Sequence, residues 1–246
     1  MFGQYIPLLG SVENEILTCF RDGGLGYESF PRLHDVMEEN GAQAVLGAHI
    51  LPLVPGLVDR LERGIRVIDV GGRGRALKRP RRLVPQQHVR RLRPLRRGDR
   101  LRRDTAAARS LDNVAFHVTD AARLAEVEPR GGADLVVTFD AVHDQADPEA
   151  TVRGIRHALA GDGVSLARDL DATSSHHGDL DHLAGPVLCT ISCLHCMTVS
   201  LACGGAGYGA MWGRERAQAL FARAGFDEVE VHTLDHDPQN AYLVEE

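Results

Sequence analysis

The chain has 246 residues, 43% of them hydrophobic, and a formal net charge of −6. That length can bury a sizeable core in one main domain, and no stretch reads as long and apolar enough to cross a bilayer. No basic start followed by an apolar run marks a secretion signal, so the cytoplasm is the expected compartment.

Residues 1–60 read as helices over Val12 to Phe20, Phe30 to Glu39 and Ala42 to Arg63, the last bent near Pro52 and Pro55. The stretch that follows is the most telling one. An apolar β-branched run from Ile65 ends in Asp69-Val70 and is followed by Gly71, Gly72 and Gly74. A buried parallel strand that turns sharply into a helix beneath a ligand has this pattern, because glycine permits the turn's backbone angles and lets the chain approach the ligand closely. Arg73 to Arg103 then holds fourteen of the twenty-eight basic residues and a single acid, Asp99. Clustered arginines attract phosphates, so a non-catalytic, nucleic-acid-associated regulator is one reading of that segment.

Val114 to Val118, Asp134 to Phe139 and Gly163 to Ala167 read as strands. Between the last two, Pro148 to Ala160 carries Val152, Ile155, Ala158 and Leu159 at helical spacing. Thr190 to Ala202 is helical with Ile191, Leu194, Thr198 and Leu201 on one face. Arg214 to Ala224 is a helix stopped by Gly225, and Val229 to His232 pairs with Ala241 to Val244 through an Asp237-Pro238 turn. The pattern specifies a doubly wound, mostly parallel α/β sheet with a reversed last strand.

Four of the five cysteines, Cys189, Cys193, Cys196 and Cys203, crowd together. A Cys-x-x-Cys around His195 suits a metal or redox site, but zinc in such a pattern takes a second knuckle, which the sequence lacks. The cysteines are therefore expected to pack a helix over a pocket, and no metal is expected. His143, His176, His177, His182 and His195 titrate in the range useful to a base, against the simpler reading of hydrogen-bonded structural residues.

The strings Phe139-Asp140-Ala141-Val142-His143-Asp144-Gln145-Ala146-Asp147-Pro148, Ser192-Cys193-Leu194-His195-Cys196-Met197-Thr198-Val199-Ser200-Leu201 and Gly204-Gly205-Ala206-Gly207 resemble class I S-adenosylmethionine-dependent methyltransferases. They are most similar to a bacterial subgroup that carries a winged-helix domain ahead of the catalytic core, and the likeness spans roughly residues 61–246. The resemblance implies a Rossmann-like, seven-stranded sheet with a reversed strand at its edge, and S-adenosylmethionine as cofactor. It places Asp69, Gly71, Gly72 and Gly74 at the glycine-rich loop, Asp120 and Ala121 at the adenine, and Phe139 and Asp140 beside the methionine part. His143 and His195 become the catalytic candidates, and Asp169, His176 and Trp212 the acceptor contacts. It further implies a small-molecule methyl acceptor, leaves room for a homodimer, and makes nucleic acid and membrane unexpected partners. Residues 1–60 correspond to helices that wall the acceptor pocket, with Tyr5, Tyr27, Phe30 and His34 as lining candidates. The absence of a winged helix before them reads as a shortened gene or a misplaced start.

Two features depart from the family pattern. The glycine loop is one residue short, so Arg73 is a candidate partner for the cofactor's carboxylate. The Arg-rich segment should supply the first crossover helix, the second strand and the acid that meets the ribose, yet Val89 to Pro94 reads as a poor buried strand. Residues 85–100 can be encoded so that a one-nucleotide advance of the frame yields Pro-Asn-Ser-Thr-Phe-Val-Gly-Tyr-Asp-Leu-Ser-Glu-Gly-Ala-Ile, an apolar strand with an acid at its tip. A frameshift-like segment around 78–104 is the expectation, with weakened S-adenosylmethionine binding as its consequence.

Overall fold

Val67, Ile68 and Val70 of one strand and Leu135, Val136 and Val137 of its neighbour are buried in the middle of the sheet, where both faces must be dry. The computed structural model describes residues 2–33, 36, 46–71, 88–93 and 114–246. Seven strands, β1 (Arg66–Val70), β2 (His88–Arg93), β3 (Val114–Val118), β4 (Ala133–Phe139), β5 (Leu159–Leu170), β6 (Val229–Leu234) and β7 (Asp237–Glu245), form one sheet in the order β3-β2-β1-β4-β5-β7-β6. β1 to β5 pair in parallel with one another, and β7 runs antiparallel to both β5 and β6. The reversed strand therefore lies inside the sheet, not at its edge, and β6 forms that edge.

The strand period of two sends alternate residues to opposite faces. Ile68, Val70, Val136 and Leu243 pack on one face against α4 (Pro148–Ala158) and α6 (Arg214–Arg223). Val67, Leu135, Val137, Tyr242 and Val244 pack on the other against α3 (Leu57–Arg63). In α4 the Asp147 side chain caps the helix by accepting from the Ala150 N–H at 2.8 Å, Pro148 fills the first turn, and Val152, Ile155 and Ala158 are fully buried. Burying one such aliphatic side chain contributes about 1.5–3 kcal/mol.

The N-terminal region breaks into α1 (Tyr5–Gly10), α2 (Glu13–Asp22), a 3-10 turn at Tyr27–Ser29, a π-helical turn at Leu46–Ile50 and a 3-10 turn at Leu51–Leu53 ahead of α3. Pro52 and Pro55 interrupt the helical runs here, since proline removes a donor and clashes with the preceding turn; the helix expected from Ala42 to Arg63 with a bend near these prolines is, over the described residues 46–63, in separate pieces. Leu8, Leu9, Val12, Ile16, Phe30 and Leu33 form a separate small core with Val199 of α5 (Gly185–Ala202).

Several boundaries differ from the sequence reading. Val89 to Arg93 do form a strand, Pro94 lying outside the described residues: β2 lies in parallel register with Val67 to Val70 on one side and β3 on the other, so its backbone groups complete two ladders despite its arginines. The last hairpin turns at Asp235-His236, while Asp237 and Pro238 belong to β7; the Asp237 carboxylate accepts from Asn240 and from the Tyr242 hydroxyl at 2.5 Å, which holds it in the strand. α4 stops at Ala158, and Leu159 to Gly163 joins β5 through a register shift near Ala133. The expectation of no bilayer-length segment also needs correction. α5 spans 18 residues at mean hydropathy 1.5, because Gly185 to Ala202 carries no Asp, Glu, Lys or Arg. It is 44% buried and carries the small N-terminal core, as a core helix of a folded domain does.

Candidate functional site

In a parallel sheet the carboxyl ends of the strands line one rim, and ligands gather there. At that rim β1 ends with the buried Asp69 and Val70, and Gly71 turns away with φ 90°. A Cβ on Gly71 would sit 2.4 Å from the Ala141 Cβ, so only glycine allows the exits of β1 and β4 to come this close. β4 ends at Phe139, and Asp140 follows with φ 50°, the left-handed region that aspartate tolerates better than most residues. Its carboxylate forms an ion pair with buried Arg168 of β5, whose guanidinium also lies 5.6 Å from the centre of the Phe139 ring. Burial opposes the charge on Arg168, and Asp140 restores it and raises the pKa further.

The chain beyond Asp140 dives inward. His143 is 1% exposed, with Asp144 and Asp169 nearly as buried. Its Nδ1 lies 2.9 Å and 2.8 Å from the two Asp169 oxygens, and its Nε2 lies 3.2 Å from Asp144 Oδ1. Tyr27 donates its hydroxyl to the other Asp144 oxygen at 2.5 Å, tying the N-terminal region to the sheet rim. Burial disfavours the imidazolium, but the Asp169 and Asp144 carboxylates outweigh it and hold His143 protonated, well above its ordinary range. A ring with both nitrogens engaged and a proton on each is an anchor at neutral pH, not a resting base.

The opposite wall is α5. Its middle, Ser192–Met197, is a π-helical segment that turns Ser192, His195 and Cys196 into the protein. Tyr27 and Phe30 meet the His195 ring edge-on, with centroids 5.4 Å and 4.8 Å away, and His195 Nδ1 lies 3.5 Å from Cys196 Sγ. Ser200 donates to the Gln145 carbonyl at 3.0 Å and accepts from the Gly207 N–H at 3.2 Å. The three stretches around Gln145, Ser200 and Gly207, far apart in sequence, are thereby laced together at one place.

The expected residues divide accordingly. Asp69, Gly71, Phe139 and Asp140 stand along the β1 and β4 exits, and His143, His195 and Asp169 gather around Tyr27. Gly72, Arg73, Gly74 and His34 lie outside the described residues. Asp120 is exposed and caps the Ala121–Arg123 turn by accepting from the Ala122 N–H at 3.0 Å, while Ala121 is buried against the main core. Trp212, expected at the acceptor, is instead 3% exposed within that core and stacks on Tyr208, because so large an apolar surface is better placed away from water. His176 is exposed, on a loop fixed below it by Thr173 and Asp179, and does not join the cluster. The expected Cys-x-x-Cys pair is split by the helix, with Cys193 exposed and Cys196 buried. Residue-by-residue reasoning missed Asp144 and Arg168; the visible signal for Arg168 was a charged pair, Arg168-Asp169, interrupting an apolar strand.

No family model and no curated protein matches the chain in sequence. Solved structures do match in shape. Over 99% of its length the chain superposes on 71% of a candidate O-methyltransferase from Nostoc punctiforme, with TM-score 0.68 and 17% identity. The same share superposes on 72% of PigF, solved with SAH, at TM-score 0.66 and 16% identity. It likewise covers 69% of an O-methyltransferase family protein from Burkholderia thailandensis, at TM-score 0.63 and 19% identity. At these identities the likeness is one of architecture, and that architecture is the class I methyltransferase fold.

Proposed function

We propose that the chain carries out S-adenosylmethionine-dependent methyl transfer to a small molecule in the cytoplasm, with cofactor affinity weakened by its Arg-rich segment. The observation that carries this reading is the exit of β1, where buried Asp69 and a glycine with no room for a Cβ leave backbone open to a ligand between two strand ends. The cofactor, when bound, supplies an activated methyl group on a sulfonium that leaves readily. What the chain contributes is alignment and exclusion of water. Asp69 and Gly71 would hold the amino-acid part, Phe139 and Asp140 its neighbourhood, and Asp120 with Ala121 the base. Arg168 fixes Asp140 in its left-handed conformation. His143, Asp169, Asp144, Tyr27 and His195 form a stiff wall toward the acceptor, in which His143 sets geometry and does not take up a proton at neutral pH. The sequence at the end of β2 bears on affinity: it reads Arg93-Pro94 where the resembling family carries an acid for the ribose hydroxyls, and without that acid a charge-assisted hydrogen bond is lost.

Calorimetric titration with S-adenosylhomocysteine, the demethylated product, tests this. The expected result is weak, saturable binding at one site per chain, lost in Gly71→Ala while the circular dichroism spectrum is kept. Absence of saturable binding at millimolar ligand, in the parent and in a chain whose β2 tip acid has been restored, sinks the reading.

A further inference from the structure

Three donors of different chemistry converge on the inner wall. A ring nitrogen of His143, an Asp144 carboxylate oxygen and Cys196 Sγ all lie within 4.8 Å of one another, and all three residues are buried. They come from two elements that meet only in the fold: the loop after β4 and the π segment of α5. We propose that these three side chains form a site for a divalent transition metal of the zinc type.

Imidazole nitrogen, carboxylate oxygen and thiolate sulfur are the donor set zinc accepts, and three protein ligands leave a fourth position for water or another small ligand. The surroundings match what holds such ligands in place. Asp169 takes the Nδ1 side of His143 at 2.8 Å, which fixes the ring and turns Nε2 toward Asp144. The Tyr27 hydroxyl, 2.5 Å from one Asp144 oxygen, orients that carboxylate in the same manner. The π segment is the second, independent feature. Widening one turn of a helix sacrifices regular hydrogen bonding and recurs where a side chain must be aimed at a function, and here it carries Cys196, together with His195, into the interior. Metal entry displaces the Nε2 proton of His143 and the thiol proton of Cys196 to solvent, so binding releases protons. The proposal does not depend on the methyl-transfer reading, and its readout is the metal itself.

The test uses the full chain with Cys19, Cys189, Cys193 and Cys203 replaced by Ser, so that Cys196 is its one thiol, freed of metal and titrated with Co(II) alone. Expected are one Co(II) per chain, a near-ultraviolet thiolate-to-cobalt charge-transfer band, and loss of that band when Zn(II) is added. Asp169→Asn and Tyr27→Phe, which leave the ligands in place, should each weaken Co(II) binding by about 10- to 100-fold. A folded chain that gives no charge-transfer band, or one whose affinity ignores both variants, overturns the site. If the four-serine chain does not fold, the parent decides: Zn(II) should raise its thermal midpoint, Cys193→Ser should keep that rise and Cys196→Ser should abolish it. No rise, or equal loss in both variants, overturns it as well.

Discussion

The two crossovers that flank the centre of the sheet make an instructive pair. From β4 to β5 the chain runs through α4, whose sequence satisfies every local requirement at once: an Asp cap, a proline in the first turn, a buried Val152, Ile155 and Ala158 stripe, and Gly154 where a Cβ would meet Leu124 at 2.8 Å. Arg156 donates to the Gly225 carbonyl at 3.1 Å and so ties the helix to the end of α6. From β1 to β2 the intervening residues 72–87 are Arg-rich, with Leu77, Leu83 and Val84 as their large aliphatics. Yet β2 takes its place beside β1. Strand placement can thus follow from backbone pairing with well-built neighbours, whereas the chemistry a strand tip delivers depends on the residues it carries.

The sharpest way to break this contrast is to cut into each half. Ile155→Ala should cost about 2–5 kcal/mol of unfolding free energy in urea, as a cavity in a packed core does; a loss below about 1 kcal/mol would show that α4 bears less on stability than its packing implies. Replacing residues 85–99 with the frame-advanced peptide restores an acid at the tip of β2 and should tighten S-adenosylhomocysteine binding by roughly 10- to 100-fold, the worth of about 1.5–3 kcal/mol in charge-assisted hydrogen bonding. Unchanged affinity, or genomic DNA in which no one-base shift near residues 78–104 yields an apolar strand ending in Asp or Glu, would end the frameshift account.

A pH series probes the well-built half from another side. Glu245, fully buried at the end of β7, is pushed by burial up to about 8, with the Ser165 hydroxyl opposing only in part. Unfolded, the same carboxyl ionises near 4.5. Its contribution to stability is therefore complete below about pH 4.5 and is lost as pH rises toward about 8. Glu245→Gln, which has no such proton to lose, should show a gain in thermal midpoint over the parent that grows across that window; a gain independent of pH would count against a neutral Glu245. The smallest effect expected is at the start of α4, where Asp147→Ala removes the cap and should cost about 1 kcal/mol.

Much of the sheet was legible because its signal is local. The β-branched runs of β1, β3 and β4 and the amphipathic stripe of α4 declare themselves within a few residues. The interior position of the reversed strand was not, since strand order depends on pairings between segments remote in sequence. The site shows the same division. His143, His195 and Asp169 could be picked as reactive types, but their partners could not. Asp144 gains meaning only when Tyr27 arrives from more than a hundred residues away, and Cys196 points inward only because the helix widens at Ser192. Trp212 misled for the opposite reason: an aromatic residue serves a pocket or a core equally well until the fold chooses.

The pairing of the N-terminal helices with α5 carries a consequence for biosynthesis. Leu8, Ile16 and Phe30 reach their partner Val199, and the Leu25 N–H its acceptor at Thr198, only after most of the chain has left the ribosome. Until then the first thirty residues must wait with their apolar sides unsatisfied, and α5 emerges as an uncharged stretch that resembles a membrane span. Such long-range closure is slow, so for that interval the nascent chain leaves these two apolar segments open to other surfaces.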